Sequence, residues 1–338
     1  MPNRPALVIQ TAFLGDVVLT TPLLTRLADR HGPLDVVTTP AAAPLLETHP
    51  AVRRVVPYDK RGTDRGWAGF QRTADRLRDH RYGRAYLPHR SWRTAALAFS
   101  AQIPERVGFE DSPAAFLYTE RVRRPVKSHE SMRLLALAGP PPRGEAPPPH
   151  VTLALTEDDR AAAGRWLEAH GVDSPFVAVA PGSIWGTKRW PYYPEFVARL
   201  DRPVVLIGGA DDVPLAAQVA AAAPGRAHSA AGQLSLRESA AIIERAELLV
   251  TNDSAPLHFA TGVGTPTVAI FGPTVPAQGF GPIGRGSRIV QHPKLWCRPC
   301  SPHGPQVCPF GHHRCMRETS VEQVEAAVGR ISLQAAAH

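Results

Sequence analysis

The segment Thr251-Asn252-Asp253-Ser254-Ala255-Pro256-Leu257-His258 has the residue types of an anion site. Asn, Asp and Ser are side chains that cap a helix start, and here they follow the apolar run Leu248-Leu249-Val250. A short helix of small residues fits after them, ending at Gly262 and Gly264, with a second buried strand at Thr267–Phe271. A helix opening at the carboxyl edge of a parallel sheet offers free backbone N–H groups and a positive dipole end, which suits phosphate. Pro256 removes a donor at the first turn, where the helix has no use for it. Ser254 and the backbone at Ala255 would take the phosphate, and His258 lies one turn along on Ser254's side. Asp253 would repel a diphosphate, so capping the loop or accepting from sugar hydroxyls suits it better.

Three further loops carry candidate chemistry. Pro181 to Pro191 follows an apolar run and contains Gly182 and Gly186 for close backbone approach, the hydroxyls of Ser183 and Thr187, and the compact cation of Lys188. That set meets the needs of a leaving diphosphate with no metal to neutralise it. Gly208-Gly209-Ala210-Asp211-Asp212 ends another apolar run, where Asp211 or Asp212 could accept from a ribose hydroxyl or simply cap a helix. Gly15-Asp16 follows the first apolar run, and Asp16 there could act as general base toward a hydroxyl or cap the first helix. Pro22 allows a helix kinked from Asp16 or one that starts at Thr21.

All four cysteines fall in one short stretch, Cys297, Cys300, Cys308 and Cys315, with His303, His312 and His313 interleaved. The spacing lacks a second C-x₂-C, so a structural zinc or no metal at all are both open, and a disulfide framework is disfavoured.

The elements that must hold these loops alternate strand and helix. Strands are expected at residues 6–10, 34–39, 52–58 and 84–88, then at 176–180, 203–207, 248–251 and 267–271. Helices are expected at 17–31, 64–80, 91–101, 156–170, 192–200, 213–223, 234–246 and 320–332. The fold class is therefore α/β, with two doubly wound Rossmann-like domains and ligands at the carboxyl ends of their strands. The expected division is a first domain over 1–140, a proline-rich connector over 141–150 and a second domain over 151–338.

The 338 residues suffice for two such cores, and no segment reaches the roughly 20 apolar residues of a membrane span. Gln10 and Asp16 interrupt the apolar start, so a cytoplasmic location is expected. Charge is uneven. Residues 1–150 hold 22 Lys and Arg against 14 Asp and Glu, a net of +8, whereas residues 151–338 hold 16 of each. The excess is mostly arginine, which points either to an anionic partner for the first half or to a compositional bias toward arginine. No aromatic interleaving or binding motif supports a nucleic-acid partner.

Four segments taken together resemble the bacterial lipopolysaccharide heptosyltransferases of glycosyltransferase family nine. They are Leu14-Gly15-Asp16-Val17 with Thr21-Pro22, Pro181 to Pro191, Thr251 to His258, and Thr265 to Thr274. The tail Cys308 to Cys315 resembles the second heptosyltransferase of that family more than the first. The resemblance implies a GT-B fold of two facing domains, the first for the acceptor and the second for the nucleotide sugar. It implies inverting transfer of L-glycero-D-manno-heptose from ADP-heptose to the lipid A–Kdo–heptose inner core, an anionic acceptor at the inner membrane surface, with no cofactor and no catalytic metal. Asp16 would be the base, Lys188 would contact phosphate, and Asp253, Ser254, Ala255 and His258 would line the donor site with Asp211 or Asp212. A relative with another nucleotide-sugar donor, or a nucleotide-sugar epimerase of the same fold, are the alternatives.

Overall fold

A computed structural model describes residues 4–140, 150–173, 175–284 and 286–335, and nine of the ten connector positions expected above, 141–149, lie outside them. The chain divides into two compact units, Met1–Ala154 and Leu155–His338. Residues 152–154 join the first unit through side-chain bonds. The Thr152 N–H donates to Thr21 Oγ1 at 3.0 Å, and Thr48 Oγ1 donates to the Ala154 carbonyl at 2.5 Å.

Each unit is built on six strands. In the first they are β1 (Ala6–Ile9), β2 (Leu34–Thr38), β3 (Val52–Pro57), β4 (Arg84–Leu87), β5 (Glu105–Phe109) and β6 (Glu120–Val122). In the second they are β7 (Val177–Ala180), β8 (Val204–Leu206), β9 (Ala227–Ser229), β10 (Leu248–Asn252), β11 (Thr267–Phe271) and β12 (Arg288–Gln291). The sheet orders are β3-β2-β1-β4-β5-β6 and β12-β11-β10-β7-β8-β9, with every pairing parallel. Numbered within its own unit, each sheet reads 3-2-1-4-5-6, the doubly wound Rossmann-like order expected from the alternation of strands and helices.

The central strands β1, β7, β10 and β11 are buried along their whole length, as parallel strands covered on both faces must be. Four strands, β5, β6, β9 and β12, lie outside the set expected from the sequence. They carry Glu, Arg, His or Gln among few apolar residues, and lie at or next to sheet edges where only one face needs to be apolar. The two geometries open for Pro22 resolve into two helices, Leu14–Leu19 and Thr21–His31, with Pro22 in the first turn of the second.

The doubly wound order fixes where loops meet. β1 lies beside β4, and β7 beside β10, and at these junctions the chain leaves neighbouring strands in opposite senses. The loops after β7 and β10 therefore start side by side, with Thr251 paired to Ala180.

Candidate active site

The loops after β7 and β10 are joined by side chains. Asn252, the last residue of β10, is fully buried. Its Nδ2 donates to the Pro181 carbonyl at 2.8 Å, while its Oδ1 accepts from the Trp190 N–H at 3.2 Å and the Tyr193 hydroxyl at 3.1 Å. One amide thus uses both of its ends to hold the 181–193 segment against the helix Ala255–Val263. The local sequence gives Asn252 only a propensity to cap.

Lys188 is buried, 8 % exposed, and is not a free cation. Its Nζ donates to Asp253 Oδ2 at 2.6 Å and to the Asp253 carbonyl at 3.1 Å. Thr274 Oγ1 donates to the same carboxylate oxygen at 2.6 Å. The electrostatic difficulty of an Asp beside a diphosphate is therefore met within the protein. Asp253 is compensated by the ammonium and the hydroxyl, and among the described residues the third Nζ donor of Lys188 is left as one that a ligand could use. Thr274 closes the last of the four resembling segments, and nothing in its local sequence marks it for this role.

The expected helix start is present, with a reduced set of donors. The helix opens at Ala255 after Ser254, but Ser254 makes no side-chain cap; its hydroxyl lies 3.3 Å from Thr251 Oγ1. Pro256 has no N–H, and the Leu257 N–H donates to the Ser254 carbonyl at 3.1 Å. Among the described residues, Ala255 is left as the first-turn N–H that a ligand could use. His258 is buried one turn along, its ring edge-on to Phe280 at 6.3 Å. The helix ends at Gly264, left-handed at φ 86°.

Two glycines serve the protein rather than a ligand. A Cβ on Gly182 would collide with the Asp212 carboxyl, and one on Gly186 would stand 2.6 Å from the Gln306 carbonyl oxygen. Asp212 Oδ2 also accepts from the Gly209 N–H at 3.0 Å, so of the two aspartates it is the structural one, and Asp211 is exposed. The Ser183 hydroxyl accepts from the Trp185 N–H at 3.2 Å. The Thr187 hydroxyl donates to the Pro305 carbonyl, so it is a strut rather than the open ligand donor expected from its place in the loop.

The cysteine segment provides that strut. His313 Nε2 lies 2.8 Å from the Thr187 carbonyl, the Gln306 side chain bridges the Gly186 N–H and the Ile184 carbonyl, and the Cys300 N–H donates to the Pro273 carbonyl at 2.9 Å. The cysteines are free thiols. Cys297 Sγ stands 3.9 Å from His312 Nε2, and among the described residues no three His, Cys, Asp or Glu side chains are grouped to hold a metal. His303, which the spacing offers only as a companion of the cysteines, faces the Lys188 loop instead. Burial, and then the charge of Lys188, lower its pKa, and its ring lies parallel to Trp185 at 6.1 Å.

In the first unit the corresponding junction holds Asp16. It lies in the first turn of Leu14–Leu19, half-buried, and its Oδ2 accepts from the Phe13 N–H at 3.2 Å. The loop that carries it is braced from two sides. Lys60 Nζ donates to the Thr11 carbonyl at 2.8 Å, and Thr11 Oγ1 lies 3.2 Å from His89 Nδ1. Burial, then Lys60 and Arg90, push the His89 imidazole down to about 4, so it is neutral near pH 7. Burial and the nearby Arg61 and Arg93 lower the Lys60 pKa. Sequence reasoning misses Lys60 and His89. The available signal is position, since each follows the carboxyl end of a strand, β3 and β4.

The two-sheet architecture is shared with known proteins. A model of glycosyltransferase family 9 (heptosyltransferase) matches residues 70–307. Lipopolysaccharide heptosyltransferase 2 of Salmonella typhimurium is 26% identical over 313 residues, covering 84% of this chain and 87% of that protein. The solved structure of E. coli ADP-heptose lps heptosyltransferase II superposes with a TM-score of 0.80 at 23% identity, over 98% of this chain and 99% of that one. A family 9 glycosyl transferase from Veillonella parvula superposes with a TM-score of 0.85 at 23% identity, over 99% and 98%.

Proposed function

The chain belongs to glycosyltransferase family 9, the heptosyltransferases, and from that membership we propose that it moves L-glycero-D-manno-heptose from ADP-heptose to the lipid A–Kdo–heptose inner core of lipopolysaccharide. The observation that carries this reading is the compensated Lys188–Asp253–Thr274 cluster beside the Ala255 helix start, a fixed group of donors suited to a diphosphate.

In this reading the acceptor hydroxyl attacks the anomeric carbon from the face opposite the nucleotide. A bond forms between that oxygen and the carbon as the carbon–oxygen bond to the β-phosphate breaks, which inverts the centre. Asp16 takes the hydroxyl proton, and ADP departs with the bonding electrons. The third Nζ donor of Lys188 and the Ala255 N–H stabilise the growing diphosphate charge, with Ser183, Ser254 and His258 alongside. Thr187 and Asp253 act by positioning Lys188, and Asp211 is the better placed of the two aspartates to meet a ribose hydroxyl, being exposed. Lys60, Arg61 and Arg93 suit an acceptor that carries phosphates and carboxylates. Such an acceptor is a lipid, so the site of action is the cytoplasmic face of the inner membrane; among the described residues no helix is long and apolar enough to cross it.

The test is ADP release with purified protein, Kdo–lipid A bearing one heptose as acceptor, and a panel of nucleotide sugars. Turnover with ADP-heptose should exceed that with ADP-glucose and should require acceptor. Equal turnover with another sugar, or sugar conversion without acceptor, would displace this reading in favour of a different donor or an epimerase.

A further inference from the structure

Four aromatic side chains project from one edge of the first sheet. Phe13 follows β1, Trp67 follows β3 and Trp92 follows β4, all three in loops or first turns at the carboxyl ends of strands, while Phe116 lies in the short turn Ala115–Leu117 between β5 and β6 and joins them through its ring contact with Trp92. Their exposures are 41, 75, 53 and 61 %. The Trp92 and Phe116 rings meet edge-on at 5.1 Å, and Trp67 stacks at 5.5 Å on the buried ring of Phe70. The helices Gly66–Asp79 and Trp92–Ser100 pack together, and each runs back from the carboxyl edge to feed the next parallel strand. Trp67 and Trp92, both in first turns, therefore sit at the same end of that helix pair.

Neither the packing of this unit nor the chemistry at Asp16 accounts for large rings held in water. An indole has an apolar body and one N–H, which suits the boundary between lipid headgroups and acyl chains. The charge around the rings is complementary to such a boundary. Arg61, Arg65 and Arg93 are exposed on the same connections, and the whole formal excess of +8 belongs to residues 1–150. Aromatic insertion combined with cationic attraction gives stable yet reversible binding to an anionic leaflet.

We propose that Phe13, Trp67, Trp92 and Phe116, with the arginines beside them, form a membrane-docking surface for an anionic phospholipid leaflet. The surface holds the Asp16 edge of the first unit at the headgroups, where a lipid-anchored acceptor presents its sugars. The proposal rests on the reading that the acceptor is a membrane lipid, but vesicle binding needs neither donor nor acceptor, so the two are tested apart.

The experiment is co-sedimentation of the full chain with vesicles of phosphatidylcholine alone and of phosphatidylcholine mixed equally with phosphatidylglycerol, at low and high salt. Binding should be confined to the anionic vesicles and weakened by salt. Trp67→Ala with Trp92→Ala should lower it by about tenfold or more, with transfer to a lipid-free core oligosaccharide unchanged. Arg65→Glu, at an exposed position that itself makes no ring contact, provides a second variant that leaves the rings in place and should also lose about tenfold. The proposal is overturned if the unaltered protein ignores anionic vesicles, or if either variant binds them normally. It is equally overturned if the double variant loses transfer to the lipid-free acceptor in step with vesicle binding, since the rings then stack on acceptor sugars. Intact vesicle binding with no transfer from any donor would uphold docking while refuting the transferase reading.

Discussion

The two sheets share one strand order, yet their junctions are finished in opposite ways. In the second unit the loops after β7 and β10 are tied together by Asn252, by the Lys188–Asp253 pair and by Thr274, all buried. In the first unit the junction is braced by Lys60 and His89, but Asp16 there is half-buried and Arg61 and Arg93, the charges nearest Lys60, stay exposed. Topology therefore chooses where a site lies, and side-chain compensation decides what it is for. A neutralised, cross-linked junction suits a small diphosphate that must be held in one pose. An open junction with surplus cations suits a large anionic partner that arrives from outside.

Removing the carboxylate of the open junction should have the largest effect. Asp16→Asn is expected to lower turnover by about 10²- to 10⁴-fold, the range for loss of a general base. ADP-heptose affinity by calorimetry should stay the same, because the donor groups named above belong to the other unit. A weakened donor affinity with normal turnover would erase the division of labour between the junctions.

Next in size is the cross-linked junction itself. Lys188→Ala leaves a buried carboxylate with Thr274 as its remaining side-chain donor among the described residues, and should cost about 3–5 kcal/mol in denaturant unfolding. It should also lose ADP affinity. Replacing Lys188 by Met and Asp253 by Leu together should cost less stability than Lys188→Ala alone, while ADP binding stays lost. If Lys188→Ala is as stable as the parent, the junction is not held by this pair.

The smallest effect separates the units by pH. His49 and His89 both belong to the first unit, and burial lowers each from 6.5 to about 4. His49 Nδ1 accepts from the Ala51 N–H at 3.2 Å, so protonating it would also cost a hydrogen bond. Between pH 6.5 and about 4 the unfolded chain binds protons that the folded chain refuses. Stability is therefore full above 6.5 and falls as the pH drops toward 4, by on the order of 2 kcal/mol for each histidine. Hydrogen exchange resolved by unit should show the first unit loosening across this window, and His49→Gln should flatten the slope. An unchanged slope would show that His49 is not part of it.

Much of the second unit's junction is legible in the chain alone. Gly182, Ser183, Lys188, Asp253, Ser254 and Ala255 stand in short contiguous runs, each following an apolar strand, so residue type and local order are enough to place them at a carboxyl edge. The first unit's junction is harder to read. Lys60 and His89 lie far apart in the chain and meet at Thr11 because β4 returns beside β1 after β2 and β3 have been laid down on its other side. No local pattern encodes that meeting.

Sequence by itself determined the alternation of buried strands and amphipathic helices, the charge imbalance between the halves, and which loops follow the carboxyl ends of buried strands. These follow from periodicity and composition, which are properties of neighbouring residues. Only the tertiary structure decided that Lys188 is already paired, that Thr187 and the glycines at 182 and 186 support protein rather than ligand, and that the cysteine segment clamps the 184–187 loop. The physical reason is that a donor or a charge has no fixed role until its partner is known, and in a doubly wound sheet the partner comes from a distant crossover.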